Sequence, residues 1–382
     1  MVISIYRKLQ KHLDTFPIGF PETKSGVEIR LLEYFFTERE AEIVLHLSII
    51  PQTLNQIYRR VKNLGYTKKH LKYILEKMVD KRTITKIVDG RKGKEKYHGD
   101  MLAIGLYENK ADNMDLELSK LMKQYMGEGF RNEFFRKDTE LQLRTIPVEK
   151  SFIYTSPVTT YDNIRELINQ TADIAVGDCV CRLSHDLLGQ PCKKTNSREW
   201  CFVLSYDGKP AIGPGRRRHL TKQEALNQLD VAEKEGFVLQ PSNSQKPIFL
   251  CACCGCCCGV LSEAKHLEKP AQYFETNYQS IIDSELCMGC AICVKRCNMD
   301  AISLVDKKAV IDGDRCIGCG LCATTCPREA IKLVSKKEVD VPPKTTSELY
   351  LKILSRKTSK RKIFGMVFRT LLGLRLDPKY EK

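Results

Sequence analysis

The sequence predicts an α+β protein of three modules and a basic tail. Three observations predict it. Residues 37–99 carry the capping and apolar spacing of three short helices, then a strand, a basic turn and a strand. Residues 151–260 alternate helix and strand signals through scattered cysteines. Residues 282–310 align without a gap onto 311–339, an offset of 29 residues with 14 identical pairs. The expected divisions are a lead-in (1–36), the helical module (37–99), a helical connector (100–150), the cysteine-rich module (151–260), the repeat (281–339) and a basic amphipathic tail (340–382).

Composition narrows the class. The chain has 382 residues, 42% hydrophobic and 29% charged, the balance of a globular protein with an adequate core. With 23 Gly and 15 Pro it is neither collagen-like nor low-complexity. No apolar run approaches the ~18 residues of a membrane span. Arg7, Lys8 and Lys11 interrupt the start too early for a secretory apolar core, so a cytoplasmic location is expected. Cysteine is the outlier: of 18, fourteen lie between Cys251 and Cys326. They cluster at metal-ligand spacing instead of spreading as a disulfide framework, which predicts metal-bound or catalytic thiolates in a reducing compartment. The net charge of +15 is uneven. Residues 37–99 hold 15 Lys and Arg against 7 Asp and Glu, and residues 341–382 hold 11 against 3.

Taken in order, Pro17, Gly19 and Pro21 mark a loop in the lead-in. Thr37 with Glu40 forms a capping box before Ile43, Val44 and Leu47. Pro51 opens a second segment that ends at Gly65, and Thr67 caps a third helix with Leu71, Ile74, Leu75 and Met78 on one face. That helix is expected to turn Lys68, Lys69, Lys72 and Lys77 outward, and the strand–turn–strand offers Arg91, Lys92, Lys94 and Lys96. This arrangement resembles a winged helix-turn-helix domain. The resemblance implies a DNA contact through phosphates and the third helix, or equally a docking or dimerisation module with a solvated charged face. Residues 100–150 read as amphipathic helix with aromatic patches at Phe130 and at Phe134 and Phe135, and Pro147 and Pro157 bracket the next boundary.

In the cysteine-rich module a helix is expected over Asn163 to Thr171, a buried strand at WCFVLSY, a capping box at Thr221 and Glu224, a helix end at Gly236 and a strand at PIFL. Ten cysteines belong here: Cys179, Cys181, Cys192, Cys201, Cys251, Cys253, Cys254, Cys256, Cys257 and Cys258. Strand alternation puts Cys251 and Cys253 on one face, while neighbours such as Cys253 and Cys254 face two sites or one bulky cluster. One further iron–sulfur cluster or two, zinc, disulfide or thiol redox chemistry, and simple buried thiols all remain open, with the ligand subset undefined. Arg182 and Arg198 would favour thiolates. The Gly-rich loop with Arg216, Arg217 and Arg218 before Thr221 has the form of an anion site, of a docking point for an acidic redox partner, or of a plain solvated turn. His219 reads as a surface or packing residue.

Each half of the repeat holds one C-x2-C-x2-C-x3-C run. This resembles the bacterial two-[4Fe-4S] ferredoxin domain. The fourth cysteine of each run ligates the other cluster in that domain. The resemblance therefore implies one cluster on Cys287, Cys290, Cys293 and Cys326, and a second on Cys316, Cys319, Cys322 and Cys297. Zinc is the competing reading for C-x2-C pairs. One position departs from the pattern: Pro327 follows the second run, but Asn298 follows the first. The order C-x-C-R, P-C, C-F, C-x-C-C-x-C-C-C ahead of such a domain resembles a family of multidomain, cysteine-rich 4Fe-4S binding proteins of anaerobes, over roughly residues 40–340. That resemblance implies electron-transfer chemistry.

The tail KIFGMVFRTLLGLRL mixes cations with bulky apolar residues, which suits a peripheral membrane contact or a helix packed back on protein. No dinucleotide-binding G-x-G-x-x-G, no P-loop and no catalytic Ser/His/Asp order is present, so no catalytic residue is assigned. The expectation is an electron-transfer protein passing electrons between redox partner proteins. The alternatives are a redox-responsive DNA-binding regulator and the electron-transfer subunit of an oxidoreductase.

Overall fold

The computed structural model describes residues 3–89, 93–148, 160–208, 210, 211, 217–374 and 376. The chain divides into two compact units: residues 1–134 with 351–382, and residues 135–350.

In the first unit, the lead-in is not merely a loop. It forms α1 (Ile5–Asp14) and α2 (Val27–Phe35), whose Leu9, Leu13, Val27, Leu31 and Leu32 are buried. Lys and Arg between these apolar residues mask a helical pattern that tertiary packing completes. α3 (Glu38–Val44) begins with the Thr37–Glu40 capping box. β1 (Gln52–Thr53) leads into α4 (Leu54–Val61), which has a capping box of its own at Thr53 and Gln56. α5 (Lys68–Asp80) is capped by Thr67 and buries Leu71, Ile74, Leu75 and Met78. β2 (Ile84–Asp89) and β3 (Lys94–Gly99) form a hairpin, and β1 adds to it in the order β1-β3-β2, all antiparallel. Arg91 and Lys92 lie outside the described residues. α6 (Leu116–Tyr125) and α7 (Arg131–Phe134) finish this part of the unit, so the expected connector is divided at residue 134.

The second unit contains the cysteine-rich region and the repeat. Its elements run α8 (Ile164–Gln170), β4 (Asp173–Asp178), α9 (Val180–Leu187), β5 (Glu199–Ser205), β6 (Arg217–Leu220), α10 (Lys222–Glu235), β7 (Val238–Pro241), β8 (Phe249–Cys253) and α11 (Gly259–Ala264). The five strands make one antiparallel sheet in the order β6-β4-β5-β8-β7. Trp200 and Phe237 meet edge to face beside it, with centroids 4.8 Å apart. The repeat follows as β9 (Tyr278–Ile282), α12 (Ile292–Arg296), β10 (Ile302–Val305), β11 (Lys308–Ile311) and β12 (Ile331–Ser335). β10 pairs with β11, and β9 with β12, so the chain before the first run is zipped to the chain after the second.

α13 (Thr346–Lys357) then leads to α14 (Lys360–Leu372), which packs on α4 in the first unit. The α14 carbonyl end is capped by α4: Gln56 Nε2 donates to Leu371 O at 2.7 Å, and Arg60 to Thr370 O and Leu374 O at 3.1 and 2.8 Å. Phe364, Phe368 and Leu371 remain exposed. Among the described residues, no helix is long and apolar enough to cross a membrane.

Candidate metal centres

The repeat builds two cavities. One is lined by Cys287, Cys290 and Cys293 from the first half and Cys326 from the second. The other is lined by Cys316, Cys319 and Cys322 from the second half and Cys297 from the first. Each cavity thus takes three cysteines from one half of the repeat and one from the other. Left-handed turns at matching positions shape both loops: φ is +71° at Gly289 and +65° at Gly318. A Cβ on Gly289 would lie 2.1 Å from Lys307 O, and one on Gly318 2.2 Å from Tyr278 O, so glycine alone fits both.

The walls suit a sulfur-rich inorganic group. Ile302, Ile311, Ile317 and Leu321 line one cavity, and Ile292, Ala309 and Ile331 the other. Amides of Ala301 and Ala309 donate to Cys297 and Cys287 Sγ at 3.3 and 3.4 Å. The Ala309 and Gly289 amides hold the Cys287 thiol below its ordinary value. Burial pushes Cys293, Cys297 and Cys319 up, and Cys322 up to about 12. Buried thiols that resist losing a proton to water lose it readily to a thiophilic metal.

The ten cysteines of the sheet region separate into two groups. Cys192, Cys254, Cys256 and Cys257 form a tetrad whose sulfurs all lie within 4.8 Å of one another. Four of its six sulfur pairs stand between 3.4 Å (Cys254–Cys256) and 3.9 Å (Cys192–Cys256). The other six, Cys179, Cys181, Cys201, Cys251, Cys253 and Cys258, form a looser ring. Cys201 and Cys251 are cross-strand partners on β5 and β8. Cys253 shares the β8 face of Cys251, Cys179 precedes α9, Cys181 sits in its first turn, and Cys258 precedes α11. Adjacent Cys253 and Cys254 therefore serve different groups, because the chain leaves the strand between them.

Arg182, 1% exposed, lies near sulfurs of both groups. Both Nη atoms donate to Ala252 O at 3.1 Å, and the guanidinium stacks over Phe237 at 4.5 Å. Burial opposes its charge, but the sulfurs of Cys179, Cys254, Cys192 and Cys253 outweigh burial and raise its pKa. Arg198 pairs with Asp186 and also lies within reach of the Cys192 sulfur's charge. Arg217 on β6 donates to Cys201 O and, at 3.4 Å, to Cys201 Sγ. The Cys251 thiol first, then Arg217, bring Cys201 down to about 6.

The expected anion loop is a strand where it is described: Arg218 pairs with Glu199, and Glu224 closes the Thr221 cap of α10. Gly213, Gly215 and Arg216 lie outside the described residues. His219 Nδ1 meets the Asp173 carboxylate at 3.0 Å near the surface. The role of Asn298 was not visible in the sequence beyond its departure from Pro. Its Oδ1 accepts from Gly255 N and its Nδ2 donates to Gly236 O, both at 2.9 Å. This ties the repeat to the tetrad loop.

Residues 280–333 match the family described as 4Fe-4S dicluster domain. The segment is thus an iron–sulfur domain of ferredoxin type, and its two cavities coincide with the matched residues. No curated protein and no solved structure matches the chain.

Proposed function

We propose that this chain is an iron–sulfur electron-transfer protein, with one [4Fe-4S] cluster on Cys287, Cys290, Cys293 and Cys326 and another on Cys316, Cys319, Cys322 and Cys297. The observation that carries the reading is the exchange: each four-cysteine cavity takes three thiols from one half of the repeat and its fourth from the other. When bound, such clusters accept and release single electrons. The protein's part is to exclude water with Ile302, Ile317, Ile331 and Leu321 and to direct amides at the sulfurs, which sets the potential.

The tetrad takes a different group. Four thiolates around one ion at ~2.3 Å bonds stand about 3.8 Å apart. The contacts of 3.4–3.9 Å fit one tetrahedral ion, zinc or iron, better than a bulky cage. The test is iron, sulfide and zinc per anaerobically purified chain, with electron paramagnetic resonance of the reduced protein. About eight irons and sulfides for the dicluster domain, two interacting reduced centres and one tetrad ion are expected. Fewer than about four irons, or zinc in place of the dicluster iron, would overturn the electron-transfer reading.

A second reading concerns the first unit. The order α3, β1, α4, α5, β2, β3 with sheet order β1-β3-β2 supports a winged helix. Lys68, Lys69, Tyr73 and Lys77 are exposed on α5, which favours nucleic acid as its partner, although Lys72 is tied to Glu95 at 3.0 Å. Electrophoretic shifts on genomic fragments with metal-loaded and metal-free protein test it. No shift in either state removes the regulator reading.

A further inference from the structure

We propose that Cys179, Cys181, Cys201, Cys251, Cys253 and Cys258 hold a polynuclear iron–sulfur cluster of their own, distinct from the tetrad ion. The site deepens the electron-transfer reading, on which its redox role rests. Its metal content stands on the six thiols alone.

The sheet register brings them together. Cys201 and Cys251 are directly paired across β5 and β8, and Cys253 lies two residues further along the same face. β4 pairs with β5 at Gly177 and Cys201, and two residues later the chain delivers Cys179 and then Cys181 into α9. Cys258 returns beside Cys253 before α11. Thiol–thiol interactions link Cys179 to Cys181, Cys201 to Cys251, Cys251 to Cys253 and Cys253 to Cys258.

Three features select a cluster. First, among the described residues only the tetrad gathers three or more ligand atoms within 4.8 Å. The ring is therefore too open for a single tetrahedral ion, whereas a cage of irons and sulfides spans such a gap. Second, the donors are all thiols; soft ligands in excess of four suit a polynuclear iron–sulfur group and not a hard cation. Third, the surroundings favour negative charge. Arg217 Nη2 lies 3.4 Å from Cys201 Sγ. Backbone amides of Arg182 and Gly259 point at the Cys179 and Cys181 sulfurs. The Arg182 guanidinium, 1% exposed, donates to the Ala252 carbonyl, and a buried cation is costly without an anion nearby. Sulfurs of both groups, Cys179 and Cys253 with Cys254 and Cys192, are near enough to supply it.

The test uses the full chain, purified anaerobically. Iron, labile sulfide and zinc are measured for the wild type, for Cys201→Ser/Cys251→Ser and for Cys192→Ser/Cys256→Ser. The first variant is expected to lose at least about two irons with matching sulfide, while keeping the tetrad ion and the reduced dicluster signals. The second is expected to lose one ion and no sulfide. Unchanged iron and sulfide in the first variant overturns the proposal, as does loss of zinc instead, or loss of the same metal from both. Native mass spectrometry of the wild type needs no folded variant. A mass equal to two cubanes plus one ion overturns the proposal, and an added iron–sulfide mass supports it. Absence of the dicluster signals in wild type would instead refute the electron-transfer reading and leave this mass difference readable.

Discussion

Asn298 holds Gly255 from both sides. Its Oδ1 accepts the Gly255 N–H at 2.9 Å, and its backbone carbonyl would stand 2.5 Å from any Cβ at that glycine. Where the second half of the repeat places Pro327 after its fourth cysteine, the first half places a clamp on the tetrad loop. The side chain is 3% exposed and both its hydrogen bonds go to backbone.

Asn298→Ala leaves the Gly255 amide without its partner, a loss worth about 1–3 kcal/mol, while Gly236 O keeps Lys194 Nζ at 3.1 Å. Denaturant unfolding under anaerobic conditions should show a loss of about 1–3 kcal/mol. Iron per chain before unfolding should stay at the wild-type value, since Asn298 ligates nothing. A variant as stable as wild type would show that the clamp contributes no stability.

Gly318→Ala puts a Cβ at φ +65° and 2.2 Å from Tyr278 O. The loop carrying Cys316 and Cys319 must shift. About four irons should be lost, with the signal of the Cys287 set retained. Full iron occupancy in this variant would show that the loop tolerates the displacement.

The crossing of ligands is read by pairs of substitutions. Cys287→Ser and Cys326→Ser should each disturb one centre, and the double variant the same centre only. Cys297→Ser with Cys326→Ser should disturb both. Iron content and the interaction between reduced centres distinguish the two patterns. Additive loss from the Cys287/Cys326 pair would contradict the exchange.

His98 makes the first unit sensitive to pH. Its Nδ1 lies 3.2 Å from the Asp100 carboxylate. Burial opposes the charged ring, but Asp100 prevails and the pKa stands above 6.5. A raised histidine stabilises fully below its unfolded value, about 6.5, and loses that contribution as pH rises through the folded value. Thermal unfolding of His98→Asn should therefore fall below wild type at about pH 5.5 and approach it at about pH 9. An equal difference at both pH values would remove the ion pair from the account.

Local chemistry made part of this protein legible in advance. The capping boxes at Thr37 and Thr221, the apolar face of Leu71, Ile74, Leu75 and Met78, and the αL end at Gly236 are written in neighbouring residues, and each stands where the spacing puts it. α1 and α2 escaped because their buried faces are interrupted by charges whose partners are remote in sequence. Glu28, for example, is fully buried against Arg7 at 3.0 Å.

For the candidate sites the division is similar. Three cysteines of each set are grouped by spacing within a short loop, a local property, whereas the exchange of Cys297 and Cys326 is implied by the resemblance to two-[4Fe-4S] ferredoxins and not by spacing. The ten middle cysteines are not grouped by spacing. Which sulfur meets which depends on the register of β5 with β8, on the exit of the chain between Cys253 and Cys254, and on the return of Cys192 across 62 residues to Cys254. The sequence alone determined that thiolates crowd this region and that a dicluster repeat follows it. Only the tertiary structure separated a tight tetrad from an open ring, because strand pairing and the buried Arg182 set distances that no spacing along the chain encodes.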